Sequence, residues 1–179
     1  RVEEVRAEGP GVVSIYITGR ELDQLRSRAG QFFYWRFLTG GGWWRSHPFS
    51  LSAAPNGRYL RITVKSSGDD TSVMQHIKPG TRVFAEGPYG AFTGARRRFA
   101  RVLLIAGGIG ITPLRALLEE MQTQRAALTV LYRASSWDDV VFREELDALA
   151  KSSGATIHYL VGKRQRGNQR WDPLGAESI

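Results

Sequence analysis

The chain has 179 residues, of which 42% are apolar and 23% are charged. This length fits one medium domain or two small ones, and the apolar fraction is enough to bury a core, which excludes a disordered chain. No apolar run approaches the roughly 18 residues that a membrane span needs. The sequence contains no cysteine, which excludes disulfides, thiolate nucleophiles and cysteine-ligated metal centres. Its three histidines have no metal-binding spacing, so any redox chemistry here requires a bound organic cofactor.

The formal net charge is +8, and 21 of the 25 basic residues are arginine. A basic excess favours an anionic partner. The arginines are spread along the chain, with one tight run at 96–98. Because a nucleic-acid face needs clustered positive charge, this pattern favours separate phosphate sites and argues against nucleic acid. The chain opens at Arg1 without a signal-peptide pattern, and we expect it to be part of a longer protein.

The first half of the sequence predicts strands. Its β-branched and aromatic runs are separated by glycine, proline and asparagine, which is typical of an antiparallel β-barrel. A short helix is predicted over 71–77, before the turn at Pro79 and Gly80. The predicted strands cover residues 12–18, 31–38, 59–64 and 82–86, and a further strand begins at His47.

The second half changes its hydrophobic period. Predicted strands at 102–106, 128–132 and 156–161 alternate with two helical patterns. This order predicts a parallel sheet with right-handed crossovers. We place the barrel at residues 1–97 and the α/β domain at 98–179. Because nucleotide-binding folds are usually built from two such halves, we expect the α/β domain to be truncated at its C-terminal end.

A glycine-rich segment follows the first parallel strand and opens the next helix. Gly107, Gly108 and Gly110 allow a pyrophosphate to approach the backbone, and the helix N-terminus favours its negative charge. Thr112 is predicted as the N-cap and Pro113 as the first helical residue. The segment predicts a dinucleotide phosphate site, although Pro113 replaces the third glycine of the usual fingerprint. A tight turn without a ligand is the alternative.

The segment HPFS at 47–50 begins a barrel strand. Pro48 fixes the backbone, Phe49 offers a flat apolar face, and Ser50 offers a small hydroxyl beside it. This combination suits one edge of an aromatic heterocycle. Taken alone, an ordinary strand start also explains it.

A third segment places hydroxyl groups where the short helix begins. Gly68 is followed by Thr71 and Ser72, which could donate hydrogen bonds to a phosphate. Simple N-capping by Asp70 or Thr71 explains the same residues, and both interpretations stay open.

In this order, the motifs resemble the ferredoxin–NADP reductase superfamily, and most of all the FAD/NADPH dehydrogenase portion of ferric reductases and NADPH oxidases. The segment at 47–50 is the most telling, because the membrane branch carries His-Pro-Phe-Ser/Thr where soluble members carry Arg-x-Tyr-Ser/Thr. The resemblance covers essentially the whole chain. It departs from the family in lacking the Cys-Gly-Pro motif and the terminal aromatic residue, for which truncation is the expected explanation.

The resemblance implies an FAD-binding barrel of the ferredoxin reductase type. FAD is expected across the barrel, with Phe49 against its ring system and Ser50, the expected catalytic residue, near its reactive nitrogen. His47 takes the place of the arginine that meets the FAD phosphates in soluble members. The other positions that the resemblance assigns to FAD are Pro48, Ile62, Val64, Lys65, Gly68, Thr71 and Ser72.

The resemblance also implies a nicotinamide cofactor and an electron acceptor. Arg133, after the second parallel strand, and Arg164, after the third, favour NADPH through its 2′-phosphate, with NADH as the alternative. The expected acceptor is haem in an N-terminal transmembrane domain outside this chain. The chain itself is expected to be soluble and to lie at the cytoplasmic face of the membrane as part of a longer protein. Two alternatives stay open: a soluble flavin reductase serving a separate ferredoxin or oxygenase, and a non-catalytic nucleotide-binding module. The positions assigned to the nicotinamide cofactor's pyrophosphate are Gly107, Gly108, Gly110, Thr112 and Pro113.

Overall fold

The computed structural model describes residues 1–40, 44–122 and 127–162. The first half of the chain forms six strands and one short helix. They are β1 (Val2–Gly9), β2 (Val12–Ile17), β3 (Phe32–Phe37), β4 (His47–Ser50), β5 (Leu60–Lys65), α1 (Asp69–Met74) and β6 (Val83–Tyr89). The strands pair in two antiparallel sheets of order β1-β2-β5 and β4-β3-β6. A bridge between Leu51 and Ile62 connects the end of β4 to β5.

The sequence of β3 explains how the barrel is filled. Phe33, Trp35 and Phe37 point inward and are buried, whereas Tyr34 and Arg36 between them are exposed. This alternation is the period-two pattern of a half-buried strand. It places aromatic side chains at the centre of the apolar cluster that fills the barrel.

Strands β2 and β5 are buried on both faces. One face contributes Ile15, Ile62 and Val64 to the barrel core. The other carries polar side chains, including Tyr16 and Arg61, which the second half of the chain covers. This covered polar face joins the two halves of the molecule.

No pattern in the sequence predicted β1. Most of its residues are exposed, and only Val2 is a fully buried side chain. The strand pairs with β2 from Val2 opposite Ile17 to Gly9 opposite Val12. Its position therefore depends on backbone pairing with β2 rather than on a strong apolar pattern of its own.

The second half forms three parallel strands with two long helices between them. They are β7 (Arg101–Gly107), α2 (Ile111–Met121), β8 (Ala127–Ala134), α3 (Arg143–Ser153) and β9 (Thr156–Val161). The sheet order is β7-β8-β9, and both pairings are parallel, which confirms the predicted alternation. A short 3-10 turn at Gly94–Arg96 lies between β6 and β7. No helix in the described residues is long and apolar enough to span a membrane.

Two predictions about helix starts are wrong in detail. The short helix begins at Asp69 and ends at Met74, instead of covering 71–77. Helix α2 begins at Ile111 with Gly110 as its N-cap, so Thr112 is not the N-cap and Pro113 is the third helical residue. The reason is that Gly108–Gly110 form a 3-10 turn that continues directly into the helix. Pro113 still lies in the first turn, where N–H groups lack partners within the helix.

Candidate functional site

A cleft of about 330 Å³ lies between the barrel and the parallel sheet. It opens at the carboxyl ends of β7 and β8, where doubly wound folds bind their ligands. Lys65 reaches it from the barrel. The segment Gly107–Gly110, which we call the glycine turn, and Arg133 reach it from the sheet. The lining residues are Lys65, Gly107, Gly108, Arg133, Ala134, Ser135 and Asp139.

The glycine turn leaves room for a ligand to approach the backbone. A Cβ added at Gly107, Gly108 or Gly110 would meet no atom within 4 Å. Gly108 has a φ of +51°, which glycine adopts without the penalty that a side chain brings. The open turn and the two cationic side chains of the cleft, Lys65 and Arg133, fit a dinucleotide pyrophosphate.

An ion pair crosses this cleft. The Lys65 ammonium lies 3.1 Å from the Asp139 carboxylate, which also accepts a hydrogen bond of 3.0 Å from the Ser136 hydroxyl. The hydrogen bond from Lys65, followed by that from Ser136, lowers the pKa of Asp139. Asp139 is therefore ionised at neutral pH and pairs with Lys65, which connects the barrel to the loop after β8.

Arg133 lies at the end of β8 and lines the cleft. Its Nη1 donates to the carbonyl oxygens of Ala134 and, at 3.1 Å, Leu160. These bonds hold the guanidinium at the ends of β8 and β9. The nearby carboxylate of Asp139 pairs with Lys65. The second predicted arginine, Arg164, lies outside the described residues.

Strand β4 is held in place by the barrel core. The indole N–H of Trp35 donates to the Phe49 carbonyl oxygen at 3.1 Å. The rings of His47 and Phe49 stack with their centroids 6.3 Å apart. Phe49 and Ser50 are half-buried, whereas Pro48 is exposed. The strand thus holds a partly buried aromatic ring, which packs against the edge of the barrel core, next to a partly buried serine.

His47 differs electrostatically from the arginine of the soluble family members. Burial, and then the positive charge of Arg45, lower the pKa of His47. This shift favours the neutral imidazole, in contrast to the permanent charge of an arginine. The positive charge in this segment belongs to Arg45.

Three of the residues predicted for FAD lie on β5, two with buried side chains and one whose side chain reaches the cleft. The side chains of Ile62 and Val64 are fully buried in the barrel core, so only their backbone lies beside any ligand. Lys65, the next residue along β5, is the one of these three whose side chain reaches the cleft.

The hydroxyl groups in the first turn of α1 are used in local hydrogen bonds. Thr71 Oγ1 accepts from the Ser67 N–H at 2.8 Å and donates to the Gly68 carbonyl at 3.1 Å. Ser72 Oγ also donates to the Gly68 carbonyl, at 2.8 Å. The N-cap of α1 is Gly68, without a side-chain capping hydrogen bond, so the alternative of capping by Asp70 or Thr71 is wrong. A contact of Thr71 and Ser72 with the FAD pyrophosphate stays a prediction.

The sequence analysis did not single out a cluster of charged residues that lies where the two halves of the chain meet. Glu145 on α3 forms an ion pair with Arg61 on β5, which joins the barrel to the second half. The same carboxylate also pairs with Arg115 on α2. The available signal was an arginine inside the apolar strand β5. The alternation of apolar and polar residues along β5 assigns Arg61 to the solvent face, yet its side chain is only 3% exposed.

Comparison with known proteins places both halves of the chain in one family. Residues 5–93 match the family model of an FAD-binding domain, and residues 104–173 match that of an oxidoreductase NAD-binding domain. The chain is 34% identical over 128 residues to ferredoxin–NADP reductase B of Sorangium cellulosum, covering 69% of this chain and 52% of that protein. It is 34% identical over 110 residues to ferric reductase transmembrane component 4 of Saccharomyces cerevisiae, covering 57% of this chain and 15% of that protein. The chain thus spans about half or less of the length of these two relatives.

The fold is similar to a solved structure of the same arrangement. The FAD/NAD-binding domain of nitric oxide dioxygenase from Vibrio cholerae superposes with a TM-score of 0.77 at 26% identity, covering 95% of this chain and 80% of that chain. This similarity confirms the predicted antiparallel barrel followed by a parallel-sheet nucleotide-binding domain. With both family matches in their expected order, this chain belongs to the ferredoxin–NADP reductase superfamily.

Proposed function

We propose that this chain is the dehydrogenase portion of an electron-transfer protein that uses NADPH and FAD to reduce a haem in a transmembrane domain outside these residues. We assign FAD to the barrel, residues 1–97, and the nicotinamide nucleotide to residues 98–179. When bound, the cofactors supply the chemistry, since the flavin takes a hydride from the nicotinamide and releases electrons one at a time. The observation that carries the proposal is the basic cleft between Lys65 and the glycine turn.

The cleft residues bind and orient the nucleotide. Gly107 and Gly108 leave the backbone open to the pyrophosphate. Lys65, which the resemblance assigned to FAD, lines the same cleft and can exchange its partner Asp139 for a phosphate. Arg133 favours the 2′-phosphate of NADPH over the free hydroxyl of NADH. Its bonds to the backbone hold the guanidinium in place before the ligand arrives.

The residues of β4 orient the flavin. Phe49 offers an aromatic ring for stacking, and Ser50 offers a hydroxyl to polarise the reactive edge. The bond from Trp35 to the Phe49 carbonyl keeps this strand fixed. A backbone held in this way keeps the position of Ser50 constant, and a preorganised polar group costs little reorganisation during a reaction.

The haem acceptor and the position at the cytoplasmic face of the membrane are supported by the HPFS segment and by the similarity to a ferric reductase transmembrane component. A second candidate is a soluble reductase of a separate ferredoxin. The longer match to ferredoxin–NADP reductase B favours that alternative. A reductase of the first kind, once reduced, should transfer electrons poorly to added ferredoxin, whereas one of the second kind should transfer them rapidly.

The proposal is tested by visible spectroscopy of the purified chain with FAD, followed anaerobically by NADPH or NADH. We expect a bound-flavin spectrum that bleaches faster with NADPH. Bound flavin that stays oxidised would support the barrel assignment and contradict hydride transfer in this chain. The absence of any bound flavin would contradict the assignment of residues 47–72 and favour a non-catalytic nucleotide-binding module.

Ser50→Ala tests the role of the hydroxyl. We expect slower flavin reduction with little loss of FAD affinity, because the substitution removes a polar contact and keeps the aromatic one. Ser152→Ala, on the exposed side of α3, is the matched control. Reduction of Ser50→Ala at the parent rate would contradict a catalytic role for Ser50.

A further inference from the structure

A buried ion cluster joins three elements that are far apart in the sequence. The Arg61 guanidinium donates to both carboxylate oxygens of Glu145, at 3.0 and 3.1 Å. Arg115 Nε lies 2.8 Å from Glu145 Oε2. One carboxylate on α3 is thus shared by an arginine of the barrel and an arginine of α2.

The same arginines also contact the segment that follows β4. Arg61 donates to the Ser52 carbonyl at 2.6 Å and to its hydroxyl at 3.1 Å, and Arg115 donates to the same carbonyl at 3.4 Å. Ser52 is two residues beyond Ser50, and the glycine turn directly precedes the helix that carries Arg115. The cluster therefore links the two segments that the proposed reaction brings together.

Helix α2 has two more polar contacts with the barrel side. The Ala54 N–H donates to Glu119 at 2.7 Å, and the Ala29 N–H donates to Glu120 at 2.9 Å. Next to Ala29, Gly30 has a φ of +83°, and a Cβ there would lie 1.8 Å from the Phe92 carbonyl oxygen. The segment that contacts α2 through Ala29 is thus too closely packed against the Phe92 backbone to accept a side chain at residue 30.

The burial of these charges has an energetic consequence. The side chains of Arg61 and Arg115 are 3% and 9% exposed. Removing charges from water costs about as much as their pairing returns, and apolar replacements are often equally stable. The hydrogen bonds of Arg61 to Glu145 and Ser52 are, however, directional and fit one relative arrangement of the elements, whereas apolar contacts tolerate sliding. Arg115 Nε pairs with Glu145 by charge, without a hydrogen bond of good geometry.

We propose that Arg61, Arg115 and Glu145 are positioning residues that fix the orientation of α2, and with it the glycine turn, relative to β4. The effect on hydride transfer rests on the proposed function, whereas the fixed orientation does not. Reacting atoms need to come within about 3–3.5 Å, and a misplacement of 1 Å can cost as much as ~100-fold in rate. A loosened cluster therefore slows flavin reduction and leaves FAD binding unchanged.

The placement of the second half, which carries α2, relative to the barrel, which carries β4, is measured by double electron–electron resonance between two spin labels. Because the chain has no cysteine, Lys78→Cys on the barrel side and Lys151→Cys on α3 provide two unique labelling sites, both exposed. The parent should give one narrow distance peak. Glu145→Gln should lose that narrow peak, because it removes the charge shared by both arginines. Glu144→Gln, the exposed neighbour on the same helix, should keep it.

A second variant covers the case in which Glu145→Gln fails to fold. Arg61→Met combined with Glu145→Met replaces the pair by apolar side chains and leaves Arg115 bonded to Glu119. We expect this variant to keep most of the parent's thermal stability and to lose the narrow peak. A narrow peak in the double variant, or in folded Glu145→Gln, would overturn the proposal.

Flavin reduction provides the link to the reaction. The double variant should bind FAD as the parent does and be reduced by NADPH about tenfold or more slowly, as expected for a misplacement of less than 1 Å. If the parent binds no FAD, the proposed function fails while the distance measurement still decides the orientation. If the narrow peak is lost and the reduction rate is unchanged, the positioning role for hydride transfer is overturned.

Discussion

The interior of the barrel and the seam between the two halves of the chain are built from different side chains. The barrel interior is apolar and aromatic, with Phe33, Trp35 and Ile62 fully buried. The seam, which we define as Arg61, Arg115, Glu145 and the segment 52–54, consists of charges and backbone groups. Its two arginines are buried, whereas the Glu145 side chain is 30% exposed. The two regions therefore differ in how they respond to displacement.

The difference shows how stability and orientation are divided between the two regions. Apolar burial is non-directional and roughly proportional to the area removed from water. Hydrogen bonds weaken steeply when their angles change. The barrel interior accordingly provides most of the stabilising free energy, and the seam selects one arrangement of the two halves. Four predictions can break or sharpen this comparison.

The largest expected effect is on the barrel interior. Trp35→Ala removes a fully buried indole that lies 5.3 Å from the Phe33 ring and donates to the Phe49 carbonyl. We expect a loss of about 3–5 kcal/mol in the free energy of unfolding, measured by urea denaturation followed by circular dichroism. Trp137→Ala, whose side chain is 52% exposed, is the control. An equally small loss in both variants would contradict the role of the barrel core.

The seam should show a dependence on pH. Burial opposes ionisation of Glu145, but the hydrogen bonds and charge of Arg61, together with Arg115, hold the pKa of this carboxyl below its ordinary value of 4.5. A lowered pKa in the folded state means that the stabilisation is complete above that ordinary value and is lost as the pH falls through the folded value.

We therefore expect Glu145→Gln to lower the free energy of unfolding by about 2 kcal/mol at neutral pH, and by progressively less in acid. The measurement is the unfolding free energy of parent and variant from pH 7 downward. Glu8 is coupled to this carboxylate, because its pKa is raised first by burial and also by the charge of Glu145. The measured difference between parent and variant therefore includes the change that the substitution causes at Glu8. A difference that stays constant with pH would contradict this account.

A smaller effect is expected at the rim of the cleft. Arg133→Gln removes a guanidinium that we assign to the 2′-phosphate. The ratio of reduction rates with NADPH and NADH should fall about tenfold, because one charged hydrogen bond contributes roughly 1.5–3 kcal/mol. The measurement is anaerobic flavin reduction with each nucleotide. Arg82→Gln, an exposed substitution on the barrel, should leave the ratio unchanged, and an unchanged ratio in Arg133→Gln would refute the assignment.

The smallest effect is expected for the exposed ion pair. Lys65 and Asp139 are 37% and 36% exposed, and such pairs contribute little to stability. Asp139→Asn should therefore leave Tm unchanged but tighten NADPH binding at low ionic strength, since the cleft becomes more positive. Added salt should remove the gain. Asp23→Asn is the control, and tighter binding that persists in high salt would contradict an electrostatic origin.

Elements with a strong local pattern could be predicted from the sequence. Strand β9 was predicted with its observed bounds, and the helical spacing of Leu114, Leu117 and Leu118 correctly marked the buried side of α2. Strand β1 was missed because half of its residues are charged and its pairing with β2 is a backbone property. The start of α2 was misplaced because glycines carry no side chain that marks where a 3-10 turn becomes a helix.

The seam was beyond the reach of local patterns. Arg61 and Glu145 are 84 residues apart, and the alternation of β5 assigns Arg61 to a solvent face. Only the packing of the second half over that face turns it into an interior position. The glycine turn and the HPFS segment, by contrast, are contiguous in sequence, so they could be recognised without knowledge of the tertiary structure.

The placement of the seam affects how this protein can be recombined with its relatives. The natural crossover point for a chimera is the 3-10 turn at Gly94–Arg96, between the two family matches. A junction there takes Arg61 from one parent and both Arg115 and Glu145 from the other. Such a hybrid takes most of each apolar core from one parent, although Val12 and Ala29 of the barrel half also belong to the second core, and it divides the ion cluster between the two parents. Transplanting these three residues together should therefore improve chimeras that fold yet turn over slowly.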